Sequence, residues 1–276
     1  MKIGNASIPE SLARLEKLTV LDLSDNGLRG TIPPSFTRLV NLNVLRLSTN
    51  ELVGTIPAIP VLPREELPAL DLHNNQLTGA IPNSIAQYWS TALLSHNNLT
   101  ALTFDFFSDS SSRLNHLDIS YNHVKSSLPD ISNSTISIFY ASSNQLFGTV
   151  PTSYQKLWKL NLDNNLLSGS VEDLFFSRSL TSIYINQNEF NGTIPSLGYT
   201  VLTELVVSNN KFTGPFPYLP TSLKRFDAGN NRFNTHNWNE WVSSLRFSKL
   251  QYVDIQLCFF FFFFFPLLRL ISFLYF

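Results

Sequence analysis

The chain is poor in the residues that cross-link small secreted domains or bind nucleic acids. It contains one cysteine, Cys258, among 276 residues, so no disulfide can form within the chain. Charged residues make up only 14% of the sequence and the net charge is −1. Without a basic stripe we expect no nucleic-acid partner. The fold must therefore rest on noncovalent packing.

Motifs of catalysis and of metal binding are also missing from the sequence. The five histidines never take a metal-ligand spacing such as H-E-x-x-H, and no phosphate-binding glycine loop occurs. We therefore expect neither an enzyme nor a cofactor or metal site. Five aspartates do recur at equivalent places along the chain, which favours solvated strand residues over catalytic carboxylate pairs: Asp22, Asp71, Asp118, Asp227 and Asp254.

The most regular feature of the chain is an asparagine that recurs every 21 to 25 residues. Each one lies in the same frame, L-x-x-L-x-L-x-x-N-x-L, in which Ile, Val, Phe, Ala or Trp sometimes replaces Leu. Repeats of this length predict a solenoid built from stacked coils. We call these residues the ladder asparagines: Asn26, Asn50, Asn75, Asn97, Asn122, Asn144, Asn165, Asn188, Asn210 and Asn231.

The frame has a simple physical reading. The two apolar residues of L-x-L are two positions apart, so both point to one face of a short strand. One strand cannot bury that face alone, whereas stacked strands form a parallel sheet over a continuous core. The turn that follows leaves backbone N–H and C=O groups facing inward, and an asparagine amide can pair with both kinds of group.

Most repeats continue beyond the asparagine as L-x-G-x-[IVF]-P, as in the run from Gly54 to Pro57. This pattern resembles the plant-specific class of leucine-rich repeats, which occurs in receptor kinases, receptor-like proteins and polygalacturonase inhibitors. Similar repeats occur in surface antigens of some protists. The resemblance implies a mostly β α/β solenoid, a right-handed superhelix with a parallel sheet on its concave face and a short second strand in each repeat.

Three repeats depart from this pattern, and we expect local irregularity in them. Repeat four reads Thr-Ala-Leu-Thr over residues 100–103, repeat five has Ser126 in place of glycine, and repeat seven has Val171-Glu172 without the proline. The expected organisation is a partial repeat over residues 1–17, about eleven repeats over 18–258 and a hydrophobic tail over 259–276. No signal peptide is visible, and both ends resemble the edges of a longer solenoid.

The C-terminal tail contains seven consecutive phenylalanines, from Phe259 to Phe265. From residue 257 the apolar run is long enough for a membrane helix, although Pro266 and Arg269 interrupt it. Four interpretations stay open: a membrane segment over 257–276, a removable lipid-anchor signal, translated noncoding sequence, or a final buried coil.

Variable residues around the strand leucines are predicted to project from the concave face. In repeats five to eight these positions gather amphipathic aromatic residues beside a few charges, a composition that protein interfaces enrich. The candidate partner-binding residues are His116, Tyr121, Ile138, Tyr140, Lys159 and Tyr184.

The sequence therefore predicts a noncatalytic module that binds a protein or peptide at the cell surface or outside the cell. The alternatives are an inhibitor of a secreted hydrolase, a regulatory ectodomain of a receptor kinase and a structural surface antigen. Four glycosylation sequons occur, about as many as chance would place in a chain this rich in Asn, Ser and Thr. They are at Asn5, Asn98, Asn133 and Asn191.

Overall fold

The computed structural model describes residues 4–60, 67–102, 106–107, 112–234, 236–245 and 249–256. Within them the chain forms short strands, numbered here β1 to β20 in chain order, that stack into parallel sheets. This solenoid confirms the predicted fold class. The phenylalanine-rich tail and Cys258 lie outside the described residues.

One strand from each repeat joins the main sheet, whose outer face is the concave face. Because consecutive strands pair in parallel with the same register, equivalent repeat positions form straight columns. The eleven strands are β1 Val20–Asp22, β3 Val44–Arg46, β5 Ala69–Asp71, β7 Thr91–Leu93, β9 His116–Asp118, β10 Ile138–Tyr140, β12 Lys159–Asn161, β14 Ser182–Tyr184, β16 Glu204–Val206, β18 Arg225–Asp227 and β20 Tyr252–Asp254.

The middle residue of each main-sheet strand points inward and forms one wall of the core. Leu45, Leu117 and Leu160, for example, are fully buried, while the residues on either side of each are partly accessible. This alternation is the period-two pattern of a half-buried strand. The L-x-L element of the frame therefore acts as predicted. Leu67, which opens the third frame, differs from most of its equivalents because it is exposed.

The ladder asparagines connect successive coils through their side-chain amides. Asn165 shows the pattern: its Oδ1 accepts from the backbone N–H of Leu146 at 3.0 Å, and its Nδ2 donates to the carbonyl of Ala141 at 3.0 Å. Both partners belong to the preceding repeat. The same amide also donates within its own turn, to the carbonyl of Leu162 at 3.1 Å. The equivalent inter-repeat pair of hydrogen bonds occurs at each ladder asparagine from Asn50 to Asn231.

The residue just before each ladder asparagine has a left-handed backbone conformation, with φ between 52° and 57°. This conformation is uncommon outside glycine, Asn and Asp. It bends the chain so that the two residues before it turn their carbonyl groups toward the ladder asparagine, whose Nδ2 donates to both, as Asn165 does to Leu162 and Asp163. The residues in this conformation are Asp25, Thr49, Asn74, His96, Tyr121, Ser143, Asn164, Gln187, Asn209 and Asn230.

A second set of strands follows the ladder and lies beside the main sheet. It is divided into two sheets around repeat five, where only an isolated bridge joins Ser127 to Phe147. The first sheet contains β2 Arg29–Thr31, β4 Glu51–Gly54, β6 Gln76–Ile81 and β8 Asn98–Leu102, and the second contains β11 Phe147–Gly148, β13 Leu166–Ser170, β15 Glu189–Thr193, β17 Lys211–Pro215 and β19 Arg232–Asn234.

The irregularities lie where the repeat pattern fails. Between β6 and β8 the register shifts after Gly79, where repeat three pairs with repeat four, which lacks the usual glycine and proline. Repeat five, with Ser126, contributes no strand to the second set among its described residues. In repeat seven a short α-helix, α2 (Glu172–Phe175), starts where other repeats place proline.

Short helices complete the convex side of several coils. Two more α-helices, α1 (Ser84–Tyr88) and α3 (Trp238–Ser244), lie there, together with 3-10 helices over Glu10–Arg14, Pro34–Arg38 and Thr152–Lys156. Among the described residues, no helix combines the length and the apolar character that crossing a bilayer requires.

The glycine of the L-x-G motif is required for two separate reasons. At Gly54 the backbone has φ +81°, and a Cβ added there would lie 2.9 Å from Thr31 Cγ2 of the preceding repeat. At Gly148, φ is +84° but the nearest such contact is 3.8 Å, to Ser127 Cβ. Backbone conformation therefore restricts both positions, whereas close stacking restricts only Gly54.

We expect Asn165→Ala to lower the free energy of unfolding by roughly 1–3 kcal/mol, because it leaves the buried partners of one amide unpaired. Asn239→Ala, at an exposed position of α3, is the control and should change little. Chemical denaturation of both variants measures the difference. Equal stability of the two variants would show that the amide at position 165 does not hold the coils together.

A second prediction separates the two roles of glycine. Gly148→Ala should lose roughly 1–2 kcal/mol through backbone strain alone, and Gly54→Ala should lose more because its methyl group also meets Thr31. Adding Thr31→Ser to Gly54→Ala removes the clashing methyl group and should recover that excess. Denaturation midpoints across the three variants test this, and no recovery in the double variant would contradict the stacking explanation.

Candidate functional site

The candidate site is formed by the outward columns of the main sheet in repeats five to eight. The register places His116, Ile138 and Lys159 side by side in the first column. In the second column Asn161 pairs with Tyr140 on one side and with Tyr184 on the other. Neighbouring strands are about 4.8 Å apart, so the two tyrosines are separated by about 10 Å along the solenoid. We call the group without Asn161 the concave platform: His116, Ile138, Tyr140, Lys159 and Tyr184.

His116 and Tyr140 pack against each other at one end of the platform. Their ring centroids are 5.5 Å apart and the planes meet at 85°, an edge-to-face arrangement. Burial lowers the pKa of His116, and Lys159 lowers it further, although Asp118 opposes them. The imidazole is therefore neutral at neutral pH. Its Nε2 is buried and has no hydrogen-bond partner among the described residues.

The hydroxyl of Tyr140 is also shielded. Burial raises the pKa of Tyr140, and the negative charges of Asp118 and Glu204 raise it further. The phenol therefore stays protonated and can donate a hydrogen bond to an acceptor on a partner. Together with neutral His116, it gives this end of the platform an amphipathic and uncharged surface.

Lys159 is held over an indole ring that the candidate list omitted. Its Nζ lies 4.8 Å from the ring centroid of Trp158, and 47% of Trp158 is exposed. A cation near an aromatic face at this distance is a favourable contact. Trp158 precedes β12 and lies outside the L-x-L columns, so a search of strand positions alone misses it. The sequence signal for this contact is that Trp158 directly precedes the candidate residue Lys159.

Tyr121 lies apart from the platform columns, in the turn after β9. It has the left-handed backbone that precedes a ladder asparagine, and it is 54% exposed. Its ring stacks on His96, the equivalent residue of the preceding repeat, with centroids 4.3 Å apart and an angle of 8°. The pair extends the aromatic surface along the rim of the concave face.

A half-buried carboxyl group, Asp163, lies two residues beyond β12. Burial raises its pKa to about 7, although the backbone N–H of Asn186, which donates to it at 2.8 Å, and the charge of Arg225 favour the ionised form. Asp227, farther along the face, opposes ionisation. The sequence analysis missed this group because a lone aspartate near a turn gives no sign of its burial.

The aspartates that recur in the second column do not form one cluster. Asp227 and Asp254 are paired in register, and burial followed by the charge of Asp254 raises the pKa of Asp227. Asp71 instead lies 2.6 Å from His73 Nδ1, and Asp22 lies 3.5 Å from Arg46. No group of three metal-binding side chains occurs within the part of the chain that the structure describes.

Comparisons with known proteins agree with this architecture. The family model described as Leucine Rich Repeat matches residues 17–39 and 67–88. Receptor like protein 22 of Arabidopsis thaliana is 31% identical over 130 residues, which cover 44% of this chain and 17% of that protein. Receptor-like protein 35 of the same plant is 35% identical over 160 residues, covering 52% and 16%. The chain thus spans less than a fifth of these relatives.

Solved structures give the same picture over more of the chain. A TDR receptor superposes with a TM-score of 0.72 and 26% identity, covering 91% of this chain and 49% of that one. The ectodomain of the Arabidopsis thaliana receptor kinase GASSHO1/SCHENGEN3, solved in complex with Casparian strip integrity factor 2, gives 0.71 and 26%, covering 91% and 34%. With the asparagine ladder and the two kinds of parallel sheet, these matches show that the chain has the leucine-rich-repeat fold and that it is similar to plant receptor ectodomains.

Proposed function

We propose that the chain is a noncatalytic recognition module, extracellular or at the cell surface, that binds a protein or peptide on its concave face. The observation that carries this proposal is the concave platform, where aromatic rings, an aliphatic side chain and a cation share one open surface. The receptor-kinase ectodomain solved in complex with Casparian strip integrity factor 2 supports a protein or peptide as the partner. Tyr121, on the rim, is included in the proposed surface.

The chemistry of the platform suits an extended segment with apolar and hydrogen-bonding side chains. Tyr140 and Tyr184 provide ring area together with a hydroxyl group, and such rings lose little conformational entropy when they become fixed. Lys159, over Trp158, provides a cation whose aliphatic stem also contributes contact area. A partner that uses all of these groups pairs an acceptor with the ammonium group and apolar side chains with the rings.

The spacing of the two tyrosines adds a geometric condition. A peptide that crosses the strands advances about 3.3 Å per residue when it is extended. Side chains on one face of such a peptide are two or four residues apart, which corresponds to about 7 Å or about 13 Å and brackets the separation of about 10 Å between Tyr140 and Tyr184. We expect binding peptides to carry apolar or aromatic side chains two or four residues apart.

We expect peptides selected from a random display library on the wild-type chain to depend on the platform. Tyr140→Ala and Tyr184→Ala should each weaken their binding at least about fivefold, since truncating a central anchor typically costs more than about 1 kcal/mol. Titration calorimetry with individual peptides measures the change, and melting curves verify that the variants are folded.

Convex substitutions provide the matched control for that experiment. Arg38→Ala and Gln155→Ala alter exposed residues of two 3-10 helices and should leave peptide affinity unchanged. Tyr140→Phe should retain more affinity than Tyr140→Ala, because it keeps the ring. If the selected peptides tolerate both tyrosine truncations but lose affinity through the convex changes, the concave face is not the binding surface.

Asp163 should make the stability of this region depend on pH. Its pKa in the folded chain is about 7, above the usual value of 3.8, so the folded state binds more protons between these values. Stability should therefore fall as pH rises from about 4 to about 7. In Asp163→Asn the loss of melting temperature between pH 5 and pH 8 should be smaller than in the wild type. Identical pH profiles would contradict the assignment of this carboxyl group.

A further inference from the structure

The asparagines of the chain divide into ladder asparagines and asparagines elsewhere in the repeat. The residue two positions after a ladder asparagine is a core residue, for example Leu52 after Asn50 or Phe212 after Asn210. A glycosylation sequon needs Ser or Thr at that position. A ladder asparagine therefore cannot be a glycan acceptor without losing a core side chain, and any acceptor must lie elsewhere in the repeat.

Two sequons lie on strands of the second set, where alternation favours them. Asn98 and Thr100 belong to β8, and Asn191 and Thr193 belong to β15. Residues two apart on a strand share a face, and all four of these side chains are exposed. In both cases the asparagine and the threonine that define the acceptor therefore point to solvent together.

The third sequon lies on a turn of the convex side. Asn133 is exposed between β9 and β10, in the stretch where Lys156 Nζ donates to the carbonyls of Ser132 at 3.1 Å and Ser134 at 2.7 Å. None of the hydrogen bonds found among the described residues uses the side-chain amide of Asn98, Asn133 or Asn191. A sugar attached to any of them therefore breaks none of these hydrogen bonds.

We propose that Asn98, Asn133 and Asn191 carry N-linked glycans, which cover the second-strand flank and the convex turns and leave the concave platform free. This inference rests on the proposed extracellular placement, because N-glycans are added in the secretory pathway. In this transfer the side-chain amide nitrogen of asparagine bonds to the anomeric carbon of the oligosaccharide and loses one proton. The bond between that carbon and the diphosphate of the lipid carrier breaks, and the lipid diphosphate leaves. Asn5 is left out because its neighbours at residues 1–3 lie outside the described part.

The arrangement of faces follows from the strand geometry. The concave platform uses the outward columns of the main sheet, whereas Asn98 and Asn191 project from the neighbouring sheets. A hydrophilic chain on that flank restricts the approach of a partner to the concave side. The glycan at Asn98 borders the rim that contains Tyr121, because Asn98 lies two residues after His96, on which Tyr121 stacks. Glycosylation would thereby favour one orientation of docking while the platform residues stay open.

Occupancy is tested with the full chain secreted behind a leader peptide and extended by a tag with a known acceptor sequon. N-glycosidase treatment converts each glycosylated asparagine to aspartate. Peptide mass spectrometry then identifies the converted positions. We expect the three sites to be occupied. Removing one acceptor should shift the electrophoretic mobility of the chain by the mass of one glycan, as in Asn98→Gln, Asn133→Gln and Asn191→Gln. Serine also completes a sequon, so the mobility should not change in Thr100→Ser and Thr193→Ser. A glycosylated tag on a chain whose three sites are empty overturns the proposal.

The assignment of faces is tested separately. Asp163→Thr creates a sequon at Asn161 on the platform strand β12, and Asp163→Ala is its control without a sequon. A glycan at Asn161 should reduce the binding of library-selected peptides at least tenfold, and enzymatic removal of the native glycans should change it less than twofold. Strongly increased binding after that removal would place a native glycan on the docking surface. If no peptide is selected, the proposed function fails while the occupancy result still decides the glycan sites.

Discussion

The hydrogen bonds of the ladder asparagines are the interaction on which the rest of the structure depends. A coil that turns inward after each strand brings backbone groups into an apolar core, where an unpaired group costs roughly 1–3 kcal/mol. Asn165 resolves this by accepting from Leu146 and donating to Ala141, both in the preceding coil. Each ladder amide from Asn50 to Asn231 forms hydrogen bonds with the preceding coil. The same hydrogen bonds therefore pair the backbone groups of the turn and stack the coils.

The backbone around the ladder explains why the coils stack so closely. The residue before the asparagine and the glycine after it both have positive φ, so the chain turns at each of these two positions. At Gly54 the preceding coil is so near that even a methyl group would meet Thr31. Where the pattern lapses at repeat five, the second set of strands is divided, whereas the main sheet continues unbroken. The main sheet therefore tolerates variation that the second set does not.

The residues that hold the coils together lie inside the solenoid or in its turns, so the outward columns of the main sheet are available for recognition. The core side chains, the ladder amides and the glycines are fixed by packing, so substitutions at those positions disturb stability. The platform residues contribute little to the core and can vary with the partner. His116 against Tyr140 and Lys159 over Trp158 are contacts between surface residues, and they arrange the proposed binding surface before any partner arrives.

The sequence alone determined the fold, since the period, the L-x-L spacing and the asparagines specify which residues must be buried together. It also determined the columns that contain Tyr140 and Tyr184, because a fixed register follows from repeats of one frame. Only the tertiary structure decided what depends on depth and on neighbours outside the frame. The burial that raises the pKa of Asp163, and the place of Trp158 beneath Lys159, arise from coils distant in sequence and from side-chain rotamers. A periodic pattern fixes positions along the chain, whereas burial and ring contacts depend on distances in space.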